Sequence, residues 1–425
     1  MRAALPAIDA ARLWRRTLAL AEIGALPAGG VNRQALSDAD IAAWRQMLQW
    51  GAEAGLEPAC DLAGNLFLTL PGRDRTAAPV LAGSHLDSQP TGGKFDGAAG
   101  VMAALEAAAT LAASPLPRAR DLTVVAWMNE EGSRFAPGMM GSEAFAGVRS
   151  LAAIRAVRDA AGCSVADALD RLLATFPALP RRPLGPPAAA FLELHIEQGP
   201  LLEAAATQIG VVTGIQGKYT YEVEITGAEG HAGTLDMAER RDALAAFTRM
   251  AAQLYAQVGG ADAIVKFTIG RLLVAPNAPS VVPARVTFRI DLRHPDAATL
   301  ARLGARCEAI CTEQAAQQAA PCAVAVTRLV DAPPNDFDVG LRTRIAAAAA
   351  GRGLSSMPIL SAAGHDARHL ATMCPTAMIF IPCRDGVSHA EHEYTSPEQL
   401  AAGTQVLSDV LAPLLATTSL EDPAP

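Results

Sequence analysis

Aromatic residues are scarce in this sequence of 425 residues: Phe, Trp and Tyr together make up 4% of the chain. So few aromatic rings argue against a surface on which nucleic-acid bases stack. The formal net charge is −8, and Lys and Arg form no block, which argues further against nucleic acid as a partner. Charged residues reach only 18%, whereas hydrophobic residues reach 51%. This composition supplies a large buried core and excludes a disordered chain.

No apolar run reaches the ~18–20 residues that a membrane-spanning helix needs. The longest candidate, residues 101–116, is interrupted by Glu106 and is typical of a buried helix. Near the N-terminus, Arg12, Arg15 and Glu22 interrupt what would have to be the apolar core of a secretory signal. The seven cysteines include no CxxC pair, which is typical of reduced thiols rather than of disulfides or a structural zinc site. We therefore expect a cytoplasmic protein without a membrane partner.

Four short apolar runs resemble buried strands, and each is followed directly by polar residues. They are residues 79–83, 122–128, 189–194 and 376–382. Helix-like stretches such as residues 101–113 separate them. Continuous apolar strands that alternate with helices predict an α/β fold with a mixed, mostly parallel sheet covered by helices. Ligands bind such sheets at the carboxyl ends of the strands, where these polar residues lie.

The segment of residues 213–329 has a different pattern. Hydrophobic and polar residues alternate in it, as in half-buried strands, and two helix-like stretches interrupt the strands. The predicted order is β-α-β-β-α-β, an α+β arrangement of the ferredoxin-like kind. We interpret this segment as an inserted domain, so that residues 1–212 and 330–425 form the other, larger domain.

The polar residues at the predicted strand ends include three of the eight histidines and several carboxylates. They are His85, His195 and His389, together with Asp87, Asp96, Glu130, Glu131 and Glu197. Carboxylates packed so densely repel one another unless cations neutralise them. A mixture of imidazole and carboxylate ligands suits Zn²⁺, Mn²⁺, Co²⁺ or Ni²⁺. The sequence therefore predicts a metal site at this edge of the sheet.

Several motifs resemble the hydantoinase/carbamoylase family of amidohydrolases, which are relatives of the aminoacylases and di-zinc exopeptidases. The matching stretches are GSHLDSQPTGGKFDGAAGV (83–101), NEEGSRF (129–135), ELHIEQGPLLE (193–203), GHAGT with RRDA (230–243), FRIDLRHPD (288–296), AGHDA (363–367) and DGVSHAEHEYTSPE (385–398). They occur in the family's order and cover essentially the whole chain. The resemblance implies the di-zinc exopeptidase-like fold, with the inserted domain serving in dimerisation or as a lid.

The resemblance also implies a centre of two divalent metal ions, Zn²⁺, Mn²⁺, Co²⁺ or Ni²⁺. In it His85 and His195 would bind one ion, Glu131 and His389 would bind the other, and Asp96 would bridge the two.

Further roles follow from the same resemblance. Glu130 would be the general base and then the acid that protonates the leaving nitrogen, and Asp87 would orient His85. His392 competes with His389 as a ligand, but the family places the ligand directly after Gly-x-Ser, which selects His389.

The resemblance divides the substrate contacts between the inserted domain and the larger domain. His231 would stabilise the developing negative charge on the carbonyl oxygen, reaching the site from the partner subunit of a homodimer. Arg293 would bind the substrate carboxylate, although an ion pair on the strand surface is the alternative for this residue. The further substrate-binding candidates are Gln198, Ser280, Gly364 and His365.

The implied activity is metal-dependent hydrolysis of the C–N bond of a carbamoyl or ureido group on a small carboxylic acid. Such acids are N-carbamoyl-L-amino acids, 3-ureidopropionate and allantoate. The alternatives are an exopeptidase or an N-acyl-amino acid deacylase of the same superfamily, and a metal- or metabolite-binding protein without activity. The chain departs from the family pattern in three places, at Ser280, at Ala362 and at the pair Leu235-Asp236, and these departures leave the choice among substrates open.

Overall fold

Two β-sheets organise the residues that the structure, a computed structural model, describes: 5–317 and 320–418. The larger sheet belongs to a unit formed by residues up to Gly214 and from Asp336 onwards, and the smaller one belongs to a unit of Ile215–Asn335. Among the described residues, no helix has both the length and the apolar character to span a membrane.

The strands, in chain order, are β1 Glu57–Asp61, β2 Leu66–Leu70, β3 Val80–His85, β4 Leu122–Trp127, β5 Arg181–Arg182, β6 Ala190–Ile196, β7 Ile209–Ile215, β8 Gly217–Thr226, β9 Lys266–Ala275, β10 Arg285–His294, β11 Ala323–Ala332, β12 Asn335–Asp336, β13 Ser356–Ser361 and β14 Thr376–Ile381. The α-helices are α1 Ala10–Ala21, α2 Asp38–Glu53, α3 Ala98–Ala112, α4 Met140–Phe145, α5 Leu151–Arg155, α6 Val165–Thr175, α7 Leu201–Ala204, α8 Ala243–Leu254, α9 Ala297–Ala316, α10 Val339–Gly351, α11 Ala367–Leu370 and α12 Pro397–Ala416.

The larger sheet has ten strands in the order β12-β7-β14-β6-β3-β4-β2-β1-β5, and β13 pairs with β7. Its centre, β14-β6-β3-β4, is parallel, whereas β2 pairs antiparallel with both β4 and β1. The four central strands are buried along their whole length, as their continuous apolar sequences require. Helices α3, α10 and α12 pack against them. The predicted mixed, mostly parallel sheet covered by helices is therefore confirmed.

The parallel register of the central strands brings their carboxyl ends to one edge of the sheet. His85 on β3 pairs with Trp127 on β4, and Phe380 on β14 pairs with His195 on β6. The segments that follow these strands therefore leave the sheet side by side.

The second unit contains the smaller sheet, which is antiparallel with the strand order β11-β8-β10-β9. Buried and more exposed residues alternate along β8 and β10, and α8 and α9 contribute to the same apolar core. The order β-α-β-β-α-β is the one predicted from the sequence.

The predicted second boundary of this segment, residue 329, lies inside strand β11. The strand continues to Ala332, and its pairing with β8 persists beyond a shift of register between Arg328 and Val330. This irregularity interrupts the alternation of hydrophobic and polar residues that a strand prediction relies on.

The N-terminal helix α1 is attached to α3 through a buried carboxylate. Glu106 on α3 is 2% exposed and accepts hydrogen bonds from Arg12 Nε at 2.8 Å and Arg12 Nη2 at 2.7 Å. The same carboxylate accepts a hydrogen bond from the backbone N–H of Asp9 at 2.9 Å. Since α3 begins beside the site described below, this attachment fixes the helix that leads into it.

We expect Arg12→Ala to lower the free energy of unfolding of the protein by about 1–3 kcal/mol, because the buried Glu106 would lose its charged partner. Arg155→Ala is the matched control: Arg155 is 31% exposed, close to the 32% of Arg12, but its partner Asp170 is 64% exposed. An exposed pair contributes about 0–1 kcal/mol. Urea unfolding followed by circular dichroism measures both variants, and equal losses would contradict the role assigned to Glu106.

Candidate active site

The ends of the four central strands carry the histidines and carboxylates that the sequence singled out. His85 is the last residue of β3, and His195 lies near the end of β6. Glu130 and Glu131 follow β4, and His389 follows β14. The structure thus brings together residues from four distant segments at the edge where the sequence predicted a site.

The first group of possible ligands consists of His85, Asp96 and His195, all of them buried. Asp96 Oδ1 lies 3.1 Å from His195 Nε2 and 3.7 Å from His85 Nε2. Gly97 follows Asp96 with a φ of +59°, and a Cβ atom there would lie 2.3 Å from the ring of His85. Only glycine therefore lets the chain pass so close to the histidine.

The second group consists of Asp96, Glu131 and His389. His389 Nε2 lies 3.3 Å from Asp96 Oδ2 and 3.4 Å from Glu131 Oε2. In each group the ligand atoms lie within 4.8 Å of one another. Asp96 belongs to both groups and turns one oxygen toward each, which is the arrangement that a bridging carboxylate requires.

Asp87 holds the segment that carries Glu130 and Glu131. Its two carboxylate oxygens accept hydrogen bonds from the backbone N–H groups of Glu130 at 3.1 Å and Glu131 at 3.2 Å. His85 Nδ1 lies 2.9 Å from the backbone carbonyl of Asp87 and 3.7 Å from its carboxylate. The predicted orientation of His85 by the carboxylate thus differs from the structure, in which the closer partner is the carbonyl oxygen.

Glu130 itself belongs to neither ligand group. Its Oε2 atom lies 3.6 Å from His85 Nε2, whereas Glu131 approaches His389 and accepts a hydrogen bond from Gln89 Nε2 at 2.7 Å. The two neighbouring glutamates therefore contact different histidines.

The surroundings shift the pKa of His85 in one direction and the pKa values of His195 and His389 in the other. Burial lowers the pKa of His85 to about 4, so that this ring is neutral. Burial also opposes protonation of His195, but its hydrogen bond to Asp96 and the negative charges of Asp96 and Glu193 together outweigh burial and raise the pKa to about 9. A hydrogen bond to Asp96 likewise raises the pKa of His389 to about 9. The same bonds hold the pKa of Asp96 well below its usual value despite burial.

The two glutamates are hard to ionise in this environment. Burial, and then repulsion from Asp96, raises the pKa of Glu131 to about 7. Burial and repulsion from Asp366, Glu131 and Asp87 raise the pKa of Glu130 well above its usual value. Cations in the two ligand groups would remove this repulsion, and the imidazole and carboxylate donors suit divalent transition metals. The residues present therefore fit a metal centre.

His365 lies behind His195 and is not open to solvent. Its ring centroid is 4.5 Å from that of His195, and its Nε2 atom lies 3.0 Å from the Ser361 hydroxyl. Together with Glu193 it forms a third group of possible ligands around His195. Gly364, the preceding candidate for substrate binding, is half-buried.

The sequence analysis did not single out Glu193, because it lies inside an apolar strand and not among the polar residues that follow the strand ends. It is buried and accepts hydrogen bonds from the Ser84 hydroxyl at 2.7 Å and the Ala367 N–H at 3.2 Å.

Glu393 was also missed, although it stands four residues after His389. This buried carboxylate accepts hydrogen bonds from the backbone N–H groups of Phe95 at 3.1 Å and Asp96 at 3.0 Å. The Ser388 hydroxyl donates to Glu393 and lies 3.0 Å from Asp96 Oδ2 as well. Glu393 thus ties the shared carboxylate to the loop that carries His389.

Three further candidates have definite positions in the first unit. Gln198 Nε2 donates to Asp96 Oδ2 at 2.8 Å, so that it contacts the shared carboxylate directly. Glu197, which the sequence placed in the carboxylate cluster, accepts hydrogen bonds from the first N–H groups of α7 instead. His392, the competitor of His389, is exposed and lies outside the ligand groups of the described residues.

The remaining candidates belong to the second unit. His231 is exposed, and its Nδ1 atom accepts a hydrogen bond from the Gly233 N–H at 3.0 Å. The backbone carbonyl of the exposed Ser280 accepts a hydrogen bond from Ala232 at 3.0 Å. Arg293 donates to the carboxylate of Asp291 through Nε at 2.7 Å and Nη2 at 3.2 Å. The structure thus contains the ion pair considered as the alternative for Arg293.

We expect the metal affinity of the metal-free protein to rise with pH between about 6 and 9, because the raised pKa values keep Glu131, His195 and His389 partly protonated below that range. A cation must displace these protons, so that lower pH favours the metal-free form. Isothermal titration calorimetry in two buffers of different ionisation enthalpy measures the released protons. An affinity independent of pH over this range would refute the prediction.

Comparison with known proteins agrees with this geometry. The profile of the family described as peptidase family M20/M25/M40 matches residues 81–412. An N-carbamoyl-L-amino-acid amidohydrolase of Rhizobium meliloti is 41% identical over 402 residues, which cover 94% of this chain and 95% of the relative. The allantoate amidohydrolase of Escherichia coli K12 is 36% identical over 398 residues, with coverages of 92% and 95%.

Solved structures lead to the same family. An amidase of the hydantoinase/carbamoylase family from Burkholderia vietnamiensis superposes with a TM-score of 0.86 at 40% identity, covering 97% of this chain and 99% of that one. The match spans both units and all the motifs compared above. The chain therefore belongs to the M20/M25/M40 peptidase family and, within it, to the hydantoinase/carbamoylase amidases.

Proposed function

We propose that this protein is a metal-dependent amidohydrolase that cleaves the C–N bond of a carbamoyl or ureido group on a small carboxylic acid. The observation that carries the proposal is the sharing of Asp96 between two groups of metal ligands, beside a glutamate that belongs to neither group. The names of the relatives, which act on N-carbamoyl-L-amino acids and on allantoate, support this choice of bond.

Two divalent cations, Zn²⁺, Mn²⁺, Co²⁺ or Ni²⁺, would occupy the two ligand groups. His85 and His195 would hold one, Glu131 and His389 would hold the other, and Asp96 would contact both. When bound, such ions polarise a carbonyl group and lower the pKa of water, so that a hydroxide nucleophile is available near neutral pH.

Glu130 would move the proton. Its carboxyl group lies 3.6 Å from His85, and once the cations offset the repulsion from the neighbouring carboxylates, its ionised form would accept a proton from the attacking water. It then delivers this proton to the leaving nitrogen as the C–N bond breaks. Cleavage of a carbamoyl group in this way releases the amine and a carbamate, which breaks down to CO₂ and ammonia.

We also propose that the protein is a homodimer in which His231 of one subunit completes the site of the other. Support comes from the tautomer of this histidine: because Nδ1 accepts a hydrogen bond from Gly233, Nε2 carries the hydrogen of the neutral ring. An exposed Nε2–H is a suitable donor to a carbonyl oxygen on which negative charge develops. Arg293, oriented by Asp291, would bind the substrate carboxylate, and Gln198 would offer a further polar contact.

A cytoplasmic location agrees with the cysteines. All seven are free thiols, and six of them are buried.

We expect Glu130→Gln to lower kcat by about 10²–10⁴-fold while the metal content stays that of the wild type, because the change removes a proton acceptor rather than a ligand. Glu131→Gln is the matched control, a neighbouring glutamate whose loss should reduce the metal content itself. Kinetics and elemental analysis of the same preparations separate the two roles. Loss of metal from Glu130→Gln would instead make Glu130 the ligand.

Glu130→Gln also tests whether the site is shared between subunits. When the Glu130→Gln and His231→Ala proteins are mixed and exchange subunits, each mixed dimer would have one intact site. Random exchange should therefore restore roughly a quarter of wild-type activity. If activity does not recover although subunit exchange is verified, His231 serves the site of its own subunit or serves no site.

An exopeptidase or N-acyl-amino acid deacylase is the second candidate, favoured by the peptidase description of the matched family. We expect release of ammonia from at least one of N-carbamoyl-L-amino acids, 3-ureidopropionate and allantoate, with little hydrolysis of dipeptides or N-acyl-amino acids. A substrate panel with ammonia and amino-acid detection decides between them. Activity on dipeptides alone would overturn the proposal.

A further inference from the structure

A segment of the N-terminal region, residues 24–36, contacts several loops of the candidate active site. Val31 exchanges two backbone hydrogen bonds with Gly92, at 2.9 and 3.1 Å, in the loop that follows β3. A Cβ atom on Gly30 would lie 2.6 Å from the side chain of Glu391, so that this segment also packs against the loop of His389. The segment precedes the part of the chain that matches the family profile.

Arg33 is the central residue of these contacts. Its backbone N–H donates to the Ser88 hydroxyl at 2.8 Å, and its carbonyl accepts from the Ser88 N–H at 3.0 Å. Its side chain is buried, and Nε donates to the carbonyl of Leu86 at 2.7 Å. On the other side, Nη1 donates to the carbonyls of Leu20 and Ile23 at the end of α1, both at 3.0 Å.

These hydrogen bonds hold the loop after β3, which also contacts residues of the candidate active site. Leu86 lies between His85 and Asp87, so that its carbonyl fixes the direction of the chain between them. The Asp87 carboxylate in turn accepts hydrogen bonds from the backbone N–H groups of Glu130 and Glu131. A displacement of Leu86 would therefore move a ligand of each group and the proposed base together.

We propose that Arg33 is a positioning residue of the active site, which fixes the loop after β3 at two points: its guanidinium binds the carbonyl of Leu86, and its backbone binds Ser88. This inference rests on the proposed function. Arg33 touches none of the reacting groups and acts through Leu86 and Ser88.

A guanidinium suits this position better than an ammonium group. Burial lowers the pKa of Arg33 only to about 10, so that the side chain stays charged at neutral pH. The carbonyls at the carboxyl end of α1 carry partial negative charge and favour a cation there. Nε and Nη1 point in different directions in one rigid plane, and a single lysine Nζ cannot reproduce both directions.

The test is Arg33→Lys, compared with Arg120→Lys. Arg120 is a matched control because both residues are 2% exposed, and Arg120 Nε also donates to a backbone carbonyl, that of Thr417, at 2.8 Å. Arg120 precedes the start of β4, whereas the candidate site lies after the end of that strand. Both variants are prepared as the full chain loaded with Co²⁺, whose visible absorption reports the arrangement of its ligands.

We expect Arg33→Lys to lower kcat by about 10–100-fold with little change in KM, as is usual when a residue behind metal ligands is lost. The cobalt absorption should change with it, whereas both properties of Arg120→Lys should stay those of the wild type. Equal kcat values and equal spectra in the two variants would overturn the proposal.

A second variant covers the case in which Arg33→Lys does not fold. Ser88→Ala removes the hydroxyl that accepts a hydrogen bond from the backbone N–H of Arg33. We expect kcat and the cobalt spectrum to change in the same direction as in Arg33→Lys, but less. An unchanged spectrum and kcat in Ser88→Ala would overturn the proposal. If the wild-type protein hydrolyses none of the ureido substrates while the spectrum of Arg33→Lys still differs, the proposed function fails and the positioning role stands.

Discussion

The candidate active site depends on how one buried carboxylate, that of Asp96, is held. One oxygen faces His85 and His195, and the other faces His389 and Gln198. Burying an ionised carboxylate without partners would cost free energy, but hydrogen bonds that Asp96 accepts from the rings of His195 and His389 keep its pKa low. Because both ligand groups contain Asp96, its position decides whether they lie close enough to work as one centre.

Two features around Asp96 leave it little freedom. The backbone N–H of Asp96 is bound by Glu393, and the next residue, Gly97, passes the ring of His85 at a distance that excludes any side chain. Helix α3 begins directly afterwards and is buried almost throughout. The shared carboxylate is therefore carried at the start of a rigid helix, which in turn is tied to α1 through Glu106.

The other groups are held by a separate set of contacts. Asp87 binds the backbone of Glu130 and Glu131, and Arg33 holds the loop that contains Asp87. The proposed base and the ligand beside it thus share one anchor but approach different histidines. This division explains how two adjacent glutamates can have different tasks, since the side chains diverge from a backbone that is fixed at both residues.

The sequence by itself determined the four central strands of the larger sheet and the order of elements in the second unit, because apolar runs and alternating patterns report burial directly. It also identified the metal-ligand candidates, since histidines and carboxylates that cluster directly after strands such as β3 and β6 are typical of a metal centre. Only the tertiary structure revealed Glu393, whose partner Phe95 lies 298 positions away, and Arg33, which looks like any basic residue of a loop. These residues acquire their roles from segments that meet only in the folded chain, and no local pattern encodes such a meeting.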